Sequence, residues 1–226
     1  AEEKTGPMSE LGLSQETIDT AGTTLGVSGA NEAKRVQKEY MQNHRLNIPT
    51  LLMADIIHGF RTIFPIPLAL GSTWDEAAVE KMAEISAKEA AVSGLHVTFS
   101  PMVDLVRDPR WGRVMESTGE DPLLNSRLAA AMVRGYQGEN LKEDNWRVAA
   151  CVKHFAAYGG ALAGRDYNTV DMSERQLREM YLPGYKAGLD AGAKLVMTSF
   201  NTVDGIPATG NQWLFRDVLR NEFGFE

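Results

Sequence analysis

Three short stretches carry side chains suited to chemistry. ADIIHG, residues 54–59, puts Asp55 at the end of an apolar run, with His58 and Gly59 just behind it. DLVRDPRWGRVMESTGEDP, residues 104–122, is a polar loop with Arg107, Arg110 and Arg113 among several acids. KHFAAYG, residues 153–159, puts Lys153 and His154 directly after the apolar run VAACV. A carboxylate such as Asp55 accepts strong charge-assisted hydrogen bonds and suits a pair of vicinal hydroxyls. Lys153 and His154 suit sugar hydroxyls too, because a hydroxyl both donates and accepts. Adjacent strand residues face opposite sides, so these two share one ligand only where the strand is ending. A lysine buried at such a place needs a partner or water. Asp55 or Asp104 could supply it internally, with His154 as a packed donor.

Plainer roles compete for the other residues. Asp55 could cap a turn. Glu116, Glu120 and Asp121 read first as braces of their own loop, and Arg107 and Arg110 as fixing its shape. Asp108-Pro109 and Gly112 force turns, and Trp111 could form an apolar wall. GGALAGRDYNT, residues 159–169, is glycine-rich without the phosphate-loop spacing. It reads as a mobile loop over the site, with Arg165 and Asp166 at its tip. Cys151 is the single cysteine and lies in an apolar run, so it reads as a small buried hydrophobe and forms no intrachain disulfide. The histidines His44, His58, His96 and His154 show no metal-ligand spacing, and no serine elbow is present. No metal or cofactor is expected.

The 226 residues carry a net charge of -7, with no basic run. That disfavours nucleic-acid backbone as a partner and favours a neutral small ligand. No apolar stretch reaches membrane-spanning length, so no membrane insertion is expected. AEEKTGPMSE at the start lacks the basic and apolar regions of a signal peptide, which fits a mature chain or a cytosolic one.

The elements that must position these residues follow from periodicity. Apolar runs predict strands at 23–27, 50–55, 96–104, 148–155 and 194–200, the first being the weakest signal. Most are nearly continuous in hydrophobicity, as in a parallel sheet covered on both faces. Helical patterns fill 30–46, 73–94, 125–138, 173–192 and 211–224. Ser72 or Thr73 could cap the second, and Pro183 divides the fourth into two pieces. Alternating strands and helices imply an α/β fold. Periodicity leaves barrel and open sheet undecided. Polar residues at several strand ends (Asp55, Asp104, Lys153, His154, Ser199, Asn201) favour a barrel, whose sites are built from many strand ends.

Several of these stretches, taken with FPIPLALGSTWD (64–75), GLHVTFSPMVDLVRDPRWGRVMESTGEDP (94–122), YNTVDMSERQLREMYLPGYKAGLDAG (167–192), MTSFNTVDGIPAT (197–209) and WLFRDVLRNEFGF (213–225), resemble family 3 glycoside hydrolases of the β-glucosidase branch. The resemblance covers at least residues 48–225, and EEKTGPM echoes the family's opening helix. It implies a TIM-barrel-like (β/α)8 N-terminal domain, incomplete here, with residues 1–226 as one partial domain. It implies retaining hydrolysis of terminal β-glucosyl residues and a periplasmic or secreted location. The family's sugar-binding residues map to Asp55, Arg113, Lys153 and His154. Phe200 stands where tyrosine is common. KHFAAYGG does not continue as the histidine-aspartate loop of the N-acetylglucosaminidase branch, which argues against an amino sugar. Family members run on into a strand bearing the nucleophilic aspartate, and the acid/base glutamate comes later still. The sequence stops at Glu226, before both. The chain by itself is therefore expected to lack activity, to expose a sheet edge, and to need the rest of the enzyme as its partner. The rival readings are a non-catalytic carbohydrate-binding subunit and a Schiff-base enzyme using Lys153.

Overall fold

The computed structural model describes residues 12, 14, 16, 17, 20–27 and 29–226. The segment EEKTGPM lies outside them. Five parallel strands form one sheet: β1 (Thr23–Leu25), β2 (Leu51–Ala54), β3 (Val97–Thr98), β4 (Ala149–Phe155) and β5 (Leu195–Thr198). Their spatial order is β1-β2-β3-β4-β5, the order of the chain. Each strand therefore lies beside its predecessor, always on the same side. Right-handed crossovers then put every intervening helix on one face, and the sheet curls away from that face. An open doubly wound sheet would instead reverse its strand order. This is an incomplete barrel wall.

The helices are α1 (Ala30–Asn43), α2 (Pro67–Gly71), α3 (Glu76–Val92), α4 (Pro122–Gln137), α5 (Glu174–Gln176) and α6 (Leu182–Asp190). A π-wound turn, Leu177–Tyr181, joins α5 to α6, and a π-wound segment, Trp213–Glu222, comes last. The sequence reading misses α2 and displaces two starts. Asp75, not Ser72 or Thr73, caps α3 by accepting from Ala78 N at 3.0 Å. Helix α4 begins at Pro122 rather than at 125, because Asp121 accepts from Leu124 N at 2.7 Å and proline suits the first turn. Ser173 caps α5 as expected. The break in that helix falls before Pro183, in the π-wound turn, which fits a proline that cannot donate to the ladder.

Strand β3 is the larger departure. A nine-residue strand was expected over 96–104, and two residues form it. Pro101 has no N–H to give to a ladder. The segment nonetheless keeps company with β4: Cys151 N donates to Ser100 O at 2.9 Å, and Lys153 N to Pro101 O at 3.1 Å. Val103 N in turn donates to Lys153 O at 2.8 Å.

The core lies between the sheet and its helices. Leu52, Ala150 and Val152 pack there with Met132, Val133, Tyr136 and Tyr185. Burying each large aliphatic side chain contributes about 1.5–3 kcal/mol. Two glycines permit close approaches between elements of this core. A Cβ on Gly135 would lie 2.4 Å from Glu80 O, so α3 and α4 touch backbone to backbone. A Cβ on Gly188 would lie 2.8 Å from a Val152 methyl, which lets α6 sit directly on β4.

Candidate active site

Asp55 follows the last residue of β2, and its turn is tied down from behind. Tyr136 of α4 donates its hydroxyl to Ile56 O at 2.7 Å and accepts from Ser100 Oγ at 3.2 Å. Burial pushes the Tyr136 phenol up to about 12, so it stays a donor. Further along, His58 Nδ1 donates to Phe64 O at 2.9 Å, so His58 shapes this loop.

Lys153 and His154 lie inside β4, where pairing with β5 slips between Val152 and Phe155. Strict alternation fails at this slip, and both side chains enter one polar network. Lys153 Nζ donates to Asp55 Oδ1 at 2.7 Å. The lysine side chain is only 4% exposed, whereas that of Asp55 is 59% exposed. Of the two internal partners considered for Lys153, Asp55 is the one found. Asp104 goes to His154 instead. Its Oδ2 accepts from His154 Nδ1 at 2.7 Å and from His154 N at 3.1 Å. Its Oδ1 accepts from the Tyr185 hydroxyl at 2.7 Å, and that hydroxyl also lies 2.7 Å from His154 O. Asp104 and His154 are both buried.

Arg113 reaches the same place from the long loop. Its Nη1 lies 3.3 Å from His154 Nε2, and Glu116 holds the guanidinium in a fork at 2.7 and 2.8 Å. That fork is the main reason its pKa is raised further. The guanidinium also lies over the Tyr158 ring, 5.6 Å from its centroid. The four residues singled out by sequence therefore form one contiguous line: Asp55, Lys153, His154 and Arg113. Glu116 is a brace, as expected, and Arg110 closes onto Asp108 within its own loop.

Sequence reasoning offered Trp111 as an apolar wall and Asp166 as a loop tip, but gave Tyr158 no role in the layer beneath. Tyr158 packs edge-on to His154 and Trp111, with centroids 5.2 and 5.0 Å away. Trp111 is buried in a small cluster with Met102, Val106 and Tyr158, so it is core. Asp166 accepts from the Trp111 indole at 2.9 Å and from the Tyr158 hydroxyl. Burial pushes the Asp166 carboxyl up, but these hydrogen bonds outweigh it and the net shift is downward. The loop at 159–169 is thus tethered at its expected tip, because a carboxylate with buried donors does not leave them cheaply. Phe200 is 53% exposed and packs against His154, Tyr158 and Tyr167 at centroid distances of 5.4, 5.3 and 5.2 Å. Cys151 is buried, as expected, and burial pushes its thiol up to about 12.

A strand-end carboxylate, a lysine, a histidine and an arginine side by side make an array of donors and acceptors for a polyhydroxylated ligand. A family model described as the glycosyl hydrolase family 3 N terminal domain matches residues 18–226. The chain belongs to that family. Crystal structures of a β-glucosidase from Listeria innocua share 60% identity with it, and the complex with isofagomine superposes with a TM-score of 0.95 over 98% of this chain. The complex with glucose gives 0.94. The periplasmic beta-glucosidase of Salmonella typhimurium is 48% identical over 205 residues, 91% of this chain. A beta-xylosidase of Formosa agariphila is 37% identical over 227 residues. The chain spans 31% of the Listeria protein, 27% of the Salmonella protein and 31% of the Formosa protein. The incomplete barrel is the family's N-terminal domain in part.

Among the described residues, no helix is long and apolar enough to cross a membrane. The Schiff-base reading of Lys153 finds no support in the geometry, because its amine is already engaged as a donor to Asp55.

Proposed function

We propose that this chain is the sugar-gripping part of a retaining β-glucosidase that removes terminal non-reducing β-D-glucosyl units. Asp55 takes a vicinal pair of hydroxyls, Lys153 and His154 the neighbouring ones, and Arg113 completes the polar rim. The observation that carries this reading is the contiguous Asp55–Lys153–His154–Arg113 line, drawn from the end of β2, the late part of β4 and the long loop. Ionised donors and acceptors make the strong class of hydrogen bonds, and a sugar ring offers several hydroxyls in fixed geometry. Names of relatives in the same family point the same way, with β-xylosides as the nearest alternative substrate.

In retaining hydrolysis one carboxylate attacks the anomeric carbon and another protonates the leaving oxygen. We assign neither role to Asp55, because this reading gives it to the sugar hydroxyls. The reading places both catalytic carboxylates, and the remaining barrel strands, in sequence beyond Glu226, so residues 1–226 form one partial domain. A periplasmic or secreted site of action accompanies this reading by analogy with the Salmonella protein.

The test uses the full-length protein with an aryl β-D-glucoside, following the first-formed sugar by proton NMR. Release of β-glucose before mutarotation is the expected result. Release of the α-anomer would refute the retaining mechanism. Saturable glucose binding without hydrolysis would establish the alternative, a non-catalytic carbohydrate-binding subunit.

A further inference from the structure

Asp104 touches no open surface, yet it holds His154 by both backbone and ring. We propose that Asp104 is a positioning residue that fixes the tautomer and angle of His154, so that Nε2 meets the sugar as a hydrogen-bond acceptor. The inference rests on His154 being a sugar ligand. A carboxylate only accepts, so the Nδ1 atom 2.7 Å from Asp104 carries the proton. A guanidinium only donates, so Nε2, 3.3 Å from Arg113 Nη1, presents its lone pair. Both neighbours select the same tautomer. Tyr185 anchors the carboxylate at its other oxygen and lies within reach of His154 O. Nε2 has a single lone pair, so a substrate hydroxyl that donates there takes the place of Arg113 Nη1, whose freed donor turns to the sugar.

The network makes an unusual statement about the isostere. In Asp104→Asn the amide oxygen must stay where Oδ2 is, because the His154 backbone N–H points at that atom. The amide nitrogen then faces the Tyr185 hydroxyl, which donates onward to His154 O. The donors that surround residue 104 keep their acceptors, and Nδ1 keeps its proton. In Asp104→Leu no acceptor remains for Nδ1–H, and only the longer 3.3 Å contact with Arg113 still favours that tautomer.

The experiment labels histidine with 15N in the full-length protein and assigns His154 by loss of its signals in His154→Gln. Wild type and Asp104→Asn should show a protonated Nδ1 and an unprotonated Nε2, and Asp104→Leu should show tautomer exchange. In parallel, kcat/KM is measured on an aryl β-glucoside and on its monodeoxy analogues. Asp104→Leu should lose roughly tenfold or more on the parent glucoside, the worth of one strong hydrogen bond. It should lose almost nothing on the analogue lacking the hydroxyl that His154 holds. A protonated Nε2 in wild type overturns the proposal, as does an equal loss on every analogue. If Asp104→Leu does not fold, the wild-type and Asp104→Asn spectra still decide, since Nε2–H in either one refutes it. Failure of the full-length protein to hydrolyse any glycoside would sink the functional reading and leave the spectra as the measure of the Asp104–His154 coupling.

Discussion

Breaking the Asp55–Lys153 pair from its two ends should have unequal consequences. The distance is 2.7 Å, but only the lysine is buried: its side chain is 4% exposed against 59% for the aspartate. Removing Asp55 strands an ammonium where water has little access. Loss of one partner of a fully buried pair costs about 3–5 kcal/mol, and loss of an exposed pair about 0–1. Because the vacated aspartate position is open to solvent, Asp55→Ala should fall between, at about 1–3 kcal/mol. Lys153→Met strands a carboxylate that water can resolvate, and its apolar stem occupies the lysine's path. It should cost under about 1.5 kcal/mol, as a near-isosteric swap. Asp55→Ala/Lys153→Met should be more stable than Asp55→Ala alone. Urea melts of the four proteins at pH 7 measure this, provided the slopes agree. Both single variants should also weaken glucose binding by about tenfold to a hundredfold, since hydrogen bonds to charged groups contribute about 1.5–3 kcal/mol. A Lys153→Met variant less stable than Asp55→Ala would refute the reasoning, because it would mean that the ammonium is not the desolvated member of the pair.

Three further outcomes follow from the same geometry. Tyr136→Phe leaves Ile56 O without its 2.7 Å donor and should cost about 1–3 kcal/mol in a urea melt, with weaker sugar binding because the Asp55 turn loosens. Asp166→Ala removes the acceptor shared by the Trp111 indole and the Tyr158 hydroxyl; a similar loss of stability is expected, with a fall in kcat/KM as the ring beneath Arg113 and His154 loosens. The Cys151 thiol has its pKa raised, mainly by burial, to about 12 in the folded chain, from an ordinary value of about 8.5. Above pH 8.5 the unfolded chain releases this proton while the folded chain keeps it, so the thiol's contribution is complete below pH 8.5 and is lost as pH rises toward 12. The slope should approach about 1.4 kcal/mol per pH unit, and Cys151→Ala should flatten it between pH 9 and 11.

Much of this protein is readable in its chain because local chemistry is enough to fix it. Continuous apolar runs place the parallel strands, since a strand covered on both faces leaves no polar alternation to obscure it. The polar residues that break those runs mark the end of β2 and the slip late in β4, which is how Asp55, Lys153 and His154 could be found. Motif order added the family and, through it, Arg113. Helix starts were less legible: Asp75 wins its cap by geometry that the neighbouring Ser72 and Thr73 also promise, and Asp121 starts its helix a turn early. The short β3 was hidden because apolar character persists through Pro101 after the ladder has ended.

Only the tertiary structure decided who pairs with whom. Lys153 and Asp55 are 98 residues apart, and His154 and Asp104 are 50 apart. Either acid satisfies either cation as far as residue type can say. The choice is made by the register of β2, β3 and β4, Ala54 beside Thr98 and Thr98 beside Ala150, and by the slip in β4 that turns both of its polar side chains into one network. A sequence specifies which groups must be satisfied once buried. Which partner satisfies each one depends on distances of a few ångströms, and those exist only after the strands have been laid side by side.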